Sequence, residues 1–277
     1  MNVNDDIVYQ FISNNKSFQK KTLYDYSQQL TIFFNFVKMP YDQVSSRDIR
    51  LWLNSLYDAD YKISTIVTKY NIVRSFYFYC IEENLIFKNP IEQVKKPVLK
   101  EKPPYYLTKE QLYKLRELVK CEIRDKAIVE TLYSSGVRIS ELMNIQISDI
   151  EWDKREIKIM GKGQKERIVL FTYQCKTSLQ EYLLNRKDEN PYLFITKRGA
   201  KKMGTRHIQT LFQGYSKALG FYISPHTIRH TFAAHLAENG MPITCIQDLL
   251  GHEYMETTKI YSKLCVQAQK AIFDKFN

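Results

Sequence analysis

Residues 156–170 read EIKIMGKGQKERIVL, and this stretch decides the fold class. Ile157 and Ile159 alternate with Lys158 and Met160, a period of two that suits a strand buried on one face. Gly161-Lys162-Gly163-Gln164-Lys165 makes a turn, and Ile168 and Leu170 continue on a return strand. The segment therefore reads as a β-hairpin with a basic, glycine-containing tip. The sequence around it has helical period, so the expected fold is mainly α with one small β-hairpin or sheet.

Helices are expected on both sides of the hairpin. Before it they fall at 108–119, where Thr108 and Gln111 form a capping box, and at 122–134. Ser134-Ser135-Gly136 is a turn, and another helix starts from Arg138. After the hairpin, helices are expected at about 173–186, 204–219, 226–238, 243–250 and 255–263, with Gly240 and Gly251 where C-cap glycines belong. From Leu264 to Asn277 the chain is again amphipathic, with Ile272, Phe273 and Phe276 among its apolar residues.

The first hundred residues read as helices only. Ile7, Val8, Phe11 and Ile12 share one face, and Leu23, Tyr26, Leu30, Phe33, Phe34 and Val37 extend the pattern up to Met39-Pro40. Ser46 is the expected N-cap of a third helix with Ile49, Trp52, Leu53 and Leu56 inward. A fourth runs from about Lys62 to Asn84 and shows Lys62, Thr65, Lys69 and Arg74 on its outer face. That face is either a solvated surface or a set of phosphate contacts. Prolines and lysines crowd the stretch from Lys95-Lys96-Pro97 to Lys102-Pro103-Pro104, which suits a stiff, basic linker. The expected division is a helical domain over 1–94, a linker over 95–106 and a mixed domain over 107–277, ending in a tail from about 264.

Composition narrows the partners. The chain has 277 residues and a net charge of +11. The excess is +3 over residues 1–100 and +8 over the rest, so both parts are basic, the second more so. Such a charge favours a polyanion, nucleic acid first, over a basic protein with no such partner. No apolar run approaches the roughly 18–20 residues that span a bilayer, and the polar, acidic start Met1–Asp6 is unlike a signal peptide. No membrane association is expected. Five cysteines, odd in number and without a CxxC pair, fit free thiols in a reducing cytoplasm.

Four of the five histidines lie between His226 and His252. His226 and His230 stand four apart on a helix, a spacing that can chelate a metal. Against this, Thr227 stands where a zinc hydrolase would place its glutamate, and Arg229 repels a cation. For His230 and His235, the default reading is a helix surface or the core. A phosphate site is the alternative: Arg229 is a fork donor beside a titrating His226, and Arg138 follows a glycine turn at a helix start.

Taken together, these segments resemble the tyrosine recombinases, the phage-integrase family. Gly136-Val137-Arg138-Ile139-Ser140-Glu141-Leu142 is similar to the family's first arginine box, and Gly161 to Arg167 to its β-hairpin lysine motif. Pro225 to Ala233 resembles its His-x-x-Arg box, Leu249-Leu250-Gly251-His252 its Leu-Gly-His element, and Thr257-Thr258-Lys259-Ile260-Tyr261 the segment of its nucleophile. One departure is Ser262 after Tyr261, where many relatives have Thr-His. The likeness is strong over 130–263, while the helical first unit resembles a core-binding domain in layout. Few residues precede the first helix, so the expected type is the simple two-domain one of the Xer and Cre sort, without an arm-site domain.

The resemblance implies a site-specific DNA recombinase working through a 3′-phosphotyrosyl intermediate and a Holliday junction, with no metal, ATP or other cofactor. It implies Tyr261 as nucleophile, Arg138, Arg229 and His252 on the scissile phosphate, Lys162 as general acid and His226 as proton acceptor. Lys62, Thr65, Lys69, Arg74, Lys95, Lys96, Lys165 and Arg167 are candidate DNA contacts. The implied partner is double-stranded DNA with inverted-repeat core sites, held by a homotetramer on two sites. Ile272, Phe273 and Phe276 are candidates for docking into a neighbouring protomer, or for packing on their own domain. A cytoplasmic protein, bacterial or carried by a mobile element, is expected; its job is dimer or cointegrate resolution, or integration. The competing readings are a type IB topoisomerase, a catalytically silent DNA-binding protein and, least supported, a zinc hydrolase.

Overall fold

A computed structural model of the protein describes residues 4–15, 18, 20–99, 104–161, 166–198 and 201–251. The chain divides into two compact units, Met1–Glu101 and Lys102–Asn277.

The first unit holds α1 (Asp5–Asn14), α2 (Lys20–Val37), α3 (Ser46–Asp58) and α4 (Ile63–Glu82). Its core is aromatic. Phe33 meets Trp52 edge-on at 4.9 Å, and Phe76 meets both Phe34 and Phe11 in the same way at 5.4 and 5.6 Å. Each such pair adds about 0.5–1.5 kcal/mol beyond the area it buries. The N-cap of α3 is Ser45 and not Ser46. A capping box needs an acceptor three residues on, and Asp48 stands in that relation to Ser45 while Ser46 faces Ile49. The Ser46 hydroxyl donates to the Pro90 carbonyl at 2.6 Å instead.

Helix α4 is buried on more than one face, because α2 and α3 pack on it and Tyr70 reaches the Val94 carbonyl. That geometry corrects one expectation. Lys69 is 8% exposed, not part of an open basic face; its ammonium donates to Gln29 Oε1 and lies 5.3 Å from the Tyr61 ring centre. Desolvation lowers its pKa. Lys62 and Arg74 are exposed and Thr65 is half-buried.

The second unit is built around α6 (Ile123–Ser135), packed by α5 (Lys109–Val119), α8 (Tyr173–Leu184) and α10 (Pro225–Glu238). Wrapped on most sides, α6 buries two carboxylates that need partners. Glu130 takes a two-pronged ion pair from Arg116 at 2.7 and 2.8 Å, and Asp125 accepts from the Tyr215 hydroxyl at 2.8 Å. The expected capping box at Thr108 and Gln111 is present at the start of α5. Helix α7 (Ile139–Leu142) is a single turn. Helices α9 (Thr205–Leu219) and α11 (Ile243–Leu250) complete the described set.

The sheet is antiparallel in the order β1 (Ile150–Glu151), β2 (Glu156–Met160), β3 (Glu166–Leu170). Ile157 pairs with Val169 and Ile159 with Arg167. Paired residues share a face, so Arg167 points to the buried side with Ile159. Ile168 and Leu170, half exposed at 53% and 51%, face away. Strand β1 went unread because two residues carry no period.

Candidate active site

Helix α6 stops at Gly136, which has φ of +60°. A Cβ there would overlap the Phe232 ring, so both the backbone and the space require glycine. Helix α11 stops in the same way at Gly251, with φ of +61°. Each helix end leaves backbone carbonyls without an intrahelical donor, and these carry the negative end of the helix dipole.

Two arginines meet these ends. Arg229 stands in the second turn of α10, which Ser224 caps through the Thr227 N–H and Pro225 opens at its first position. Its side chain is buried; Nη1 donates to the Gly136 carbonyl and Nη2 to the Leu250 carbonyl at 2.6 Å. Arg138 sits just past Gly136, its side chain 33% exposed, and its Nη2 donates to the Gly251 carbonyl at 3.3 Å. The two guanidinium groups thus share consecutive carbonyls at the end of α11.

Glu141 governs the other side of Arg138. Its Oε1 accepts from Arg138 Nη1 at 2.9 Å and from Arg167 Nη1 at 2.8 Å. Its Oε2 accepts from the Arg138 backbone N–H at 2.7 Å and from Arg167 Nη2 at 2.8 Å. Burial opposes the charge on Glu141, but the Arg167 bonds and the Arg138 backbone N–H outweigh it and hold the carboxyl down to about 2. This changes the reading of Arg167. A DNA contact was expected there; the structure turns its guanidinium inward onto Glu141 because its register position shares the buried face. Three guanidinium groups against one carboxylate leave the site net positive.

His226 is exposed as a residue, although neighbouring chain screens part of its ring. That screening, then the charges of Arg229 and Arg138, lower its pKa, so the imidazole is neutral at neutral pH. His230 is half-buried, with its pKa likewise lowered, by burial first and then by His226 and Arg229. His235 belongs to the core: Nε2 lies 3.0 Å from the Leu107 carbonyl and Nδ1 3.0 Å from the Tyr133 hydroxyl. The carbonyl can only accept, so Nε2 carries the proton and Nδ1 receives the tyrosine's. Among the described residues, no group of three or more His, Cys, Asp or Glu side chains could hold a metal.

The structure thus brings Arg138, Arg229 and His226 together. Lys95 and Lys96 are exposed, in a stretch without regular secondary structure. Lys162, Lys165, His252, Tyr261, Ile272, Phe273 and Phe276 lie outside the described residues. The sequence reading gave no role to Glu141, though the i, i+3 spacing from Arg138 was the signal available. The carbonyls of Gly136, Leu250 and Gly251 have no side-chain signature.

Residues 105–267 match the model of the phage integrase family, and residues 8–84 that of the phage integrase N-terminal SAM-like domain. The tyrosine recombinase XerC of Thermodesulfovibrio yellowstonii is 36% identical over 270 residues, covering 92% of this chain and 89% of that protein. In fold, the chain is similar to the Tn1549 transposon integrase in complex with transposon right end DNA, at a TM-score of 0.80 and 19% identity, covering 100% of this chain and 99% of the other. The XerH site-specific recombinase bound to palindromic difH substrate gives a TM-score of 0.77 at 20% identity over 91% of this chain and 78% of that one. The chain belongs to the phage integrase family, the tyrosine-type site-specific recombinases.

Proposed function

We propose that this recombinase cuts and rejoins double-stranded DNA at Tyr261, with Arg138 and Arg229 holding the scissile phosphate. The observation that carries the reading is the convergence of both guanidinium groups on Leu250 and Gly251, immediately before His252, with a neutral His226 alongside.

The chemistry follows from what each group can do. A phenol with a pKa near 10 is only about one part in a thousand ionised at pH 7, so Tyr261 needs a base and a positive field. Neutral His226 takes its proton. The phenolate oxygen attacks phosphorus, the bond to the 5′ oxygen breaks, and Lys162 protonates that leaving oxygen. Charge gathers on the nonbridging oxygens, where Arg138, Arg229 and His252 supply donors. The 3′-phosphotyrosyl bond conserves the phosphodiester's energy, so the 5′ hydroxyl of a partner strand can reverse the step without ATP or metal.

Four protomers on two sites exchange strands in two rounds through a Holliday junction, each site an inverted repeat. XerH, described on a palindromic substrate, is a precedent for such a site. The helical first unit, through Lys62, Thr65 and Arg74, and the Lys95–Lys96 stretch contribute phosphate contacts. The Ile272–Phe276 tail docks between protomers. Resolution or integration of DNA in the cytoplasm is the matching biological role.

The test is a nicked suicide duplex carrying the protein's own site, incubated in EDTA. A covalent adduct that Tyr261→Phe abolishes is expected. Loss of activity in the chelator, or an adduct that survives in Tyr261→Phe, contradicts the reading. Relaxation of supercoils without exchange between duplexes would point to topoisomerase action instead.

A further inference from the structure

We infer that Arg167 is a positioning residue for Arg138: it fills the acceptor sites of Glu141 so that Arg138 keeps donors free for the scissile phosphate. The inference rests on the role proposed above for Arg138.

A carboxylate offers about four lone-pair sites. At Glu141 all four are taken, two by the Arg167 fork, one by the Arg138 backbone N–H and one by Arg138 Nη1. Without Arg167, the two sites it occupies would open beside the Arg138 side chain. A carboxylate and a guanidinium prefer a two-pronged pair. Arg138 would then turn a second N–H onto Glu141, and its charge would be neutralised by a single partner. Arg167 prevents this twice over, by occupying the sites and by adding a second positive charge to the same carboxylate.

Arg167 is held for this task. It faces inward opposite Ile159, with its side chain 15% exposed. It also presses on the end of α11, since a Cβ built at Gly251 would come 2.8 Å from its Cδ and Nε. Arg138 donates to the carbonyl of that same Gly251. One side chain therefore touches both anchors of Arg138, the carboxylate and the helix end. A surface phosphate contact would have neither relation.

The experiment measures single-turnover adduct formation at saturating suicide duplex for the parent, Arg167→Gln, Arg167→Lys, Arg138→Lys and the Arg138→Lys/Arg167→Gln double variant. DNA affinity across a salt series and thermal melting accompany each. Misplacement of a phosphate-holding group by an ångström can cost about 10²-fold in rate. Arg167→Gln should therefore slow the parent by about 10- to 100-fold, with affinity and salt slope unchanged. In the Arg138→Lys background the same substitution should cost less than about 3-fold, since coupled residues are non-additive. Arg167→Lys, which keeps the charge without the fork, should fall between, and it carries the test if Arg167→Gln melts early. Equal losses in both backgrounds would overturn the inference. So would a normal rate with weaker binding and a shallower salt slope, the mark of a DNA contact. If the parent forms no adduct at all, the role of Arg138 fails first and this inference with it.

Discussion

Arg229 Nη2 donates to the Leu250 carbonyl at 2.6 Å, a bond from the second turn of α10 to the last turn of α11. Its other terminal nitrogen serves Gly136 at the end of α6. One side chain on α10 thus ties together the ends of two other helices, while Arg138 nearby makes, among the described residues, one side-chain bond to that framework beyond its own carboxylate partner. The two arginines share a chemistry in the proposed reaction and differ in what they do for the fold.

That difference is measurable. Arg229→Ala leaves two carbonyls without this donor, at about 1–3 kcal/mol each where they stay dry. Arg138→Ala leaves Glu141 still paired by Arg167 and empties a third-exposed position, so about 1 kcal/mol or less is expected. Denaturant unfolding should therefore separate the two variants by at least about 1 kcal/mol, although both should abolish adduct formation. Equal stabilities would mean that the Arg229 bonds contribute no more to folding than those of Arg138.

Glu141 gives an acid-side signature. Its carboxyl is held at about 2 in the folded protein, against about 4.3 in an unfolded chain. The stabilisation is complete above the unfolded value and is lost as pH falls toward 2, a contribution on the order of 3 kcal/mol. In Glu141→Gln, the dependence of unfolding free energy on pH between about 5 and 2 should flatten by up to one proton. An unchanged slope would show that other carboxylates set it.

With His226 as the proposed proton acceptor, this side chain should set the pH profile of cleavage. A base must be neutral to act, and burial together with Arg229 and Arg138 lowers this imidazole's pKa. Single-turnover cleavage should persist as pH falls through about 6.5, the ordinary histidine value, and decline only below it. In His226→Asn the rate should drop about 10²–10⁴-fold and that acidic limb should vanish. A decline centred at or above the ordinary value, or a limb retained in the variant, would assign the proton to another group.

The face of α4 divides by exposure. Lys62→Ala and Arg74→Ala should each weaken DNA binding and lower the magnitude of the salt slope by about 0.9. Lys69→Met should leave affinity and slope intact, because its ammonium is turned onto Gln29. Titrations at several salt concentrations decide this, and a Lys69→Met slope as reduced as that of Lys62→Ala would return Lys69 to the DNA surface.

Local periods made much of the fold readable. Ile49, Trp52, Leu53 and Leu56 are buried where helical spacing put them, and Ile157 and Ile159 where a period of two did. The limits were physical. Ser45 and Ser46 differ only in what lies three residues on. Lys69 is buried by Gln29, 40 residues away, and no window along the chain contains that pairing. Arg167 looks like one more basic residue near a hairpin tip until the strand register turns it toward Glu141. Arg138, Arg229 and His226 stood out through their residue types and the order of the motifs that hold them, whereas the acceptors that orient the arginines are mostly backbone carbonyls, which every residue has.

The proposed reaction stands or falls on a covalent bond between DNA and Tyr261. The most direct measurement is mass spectrometry of the trapped adduct after nuclease and protease digestion. A nucleotide remnant is expected on the peptide containing Tyr261, attached through the 3′ phosphate of the cut strand. A remnant on any other residue, or linkage through a 5′ phosphate, would contradict it.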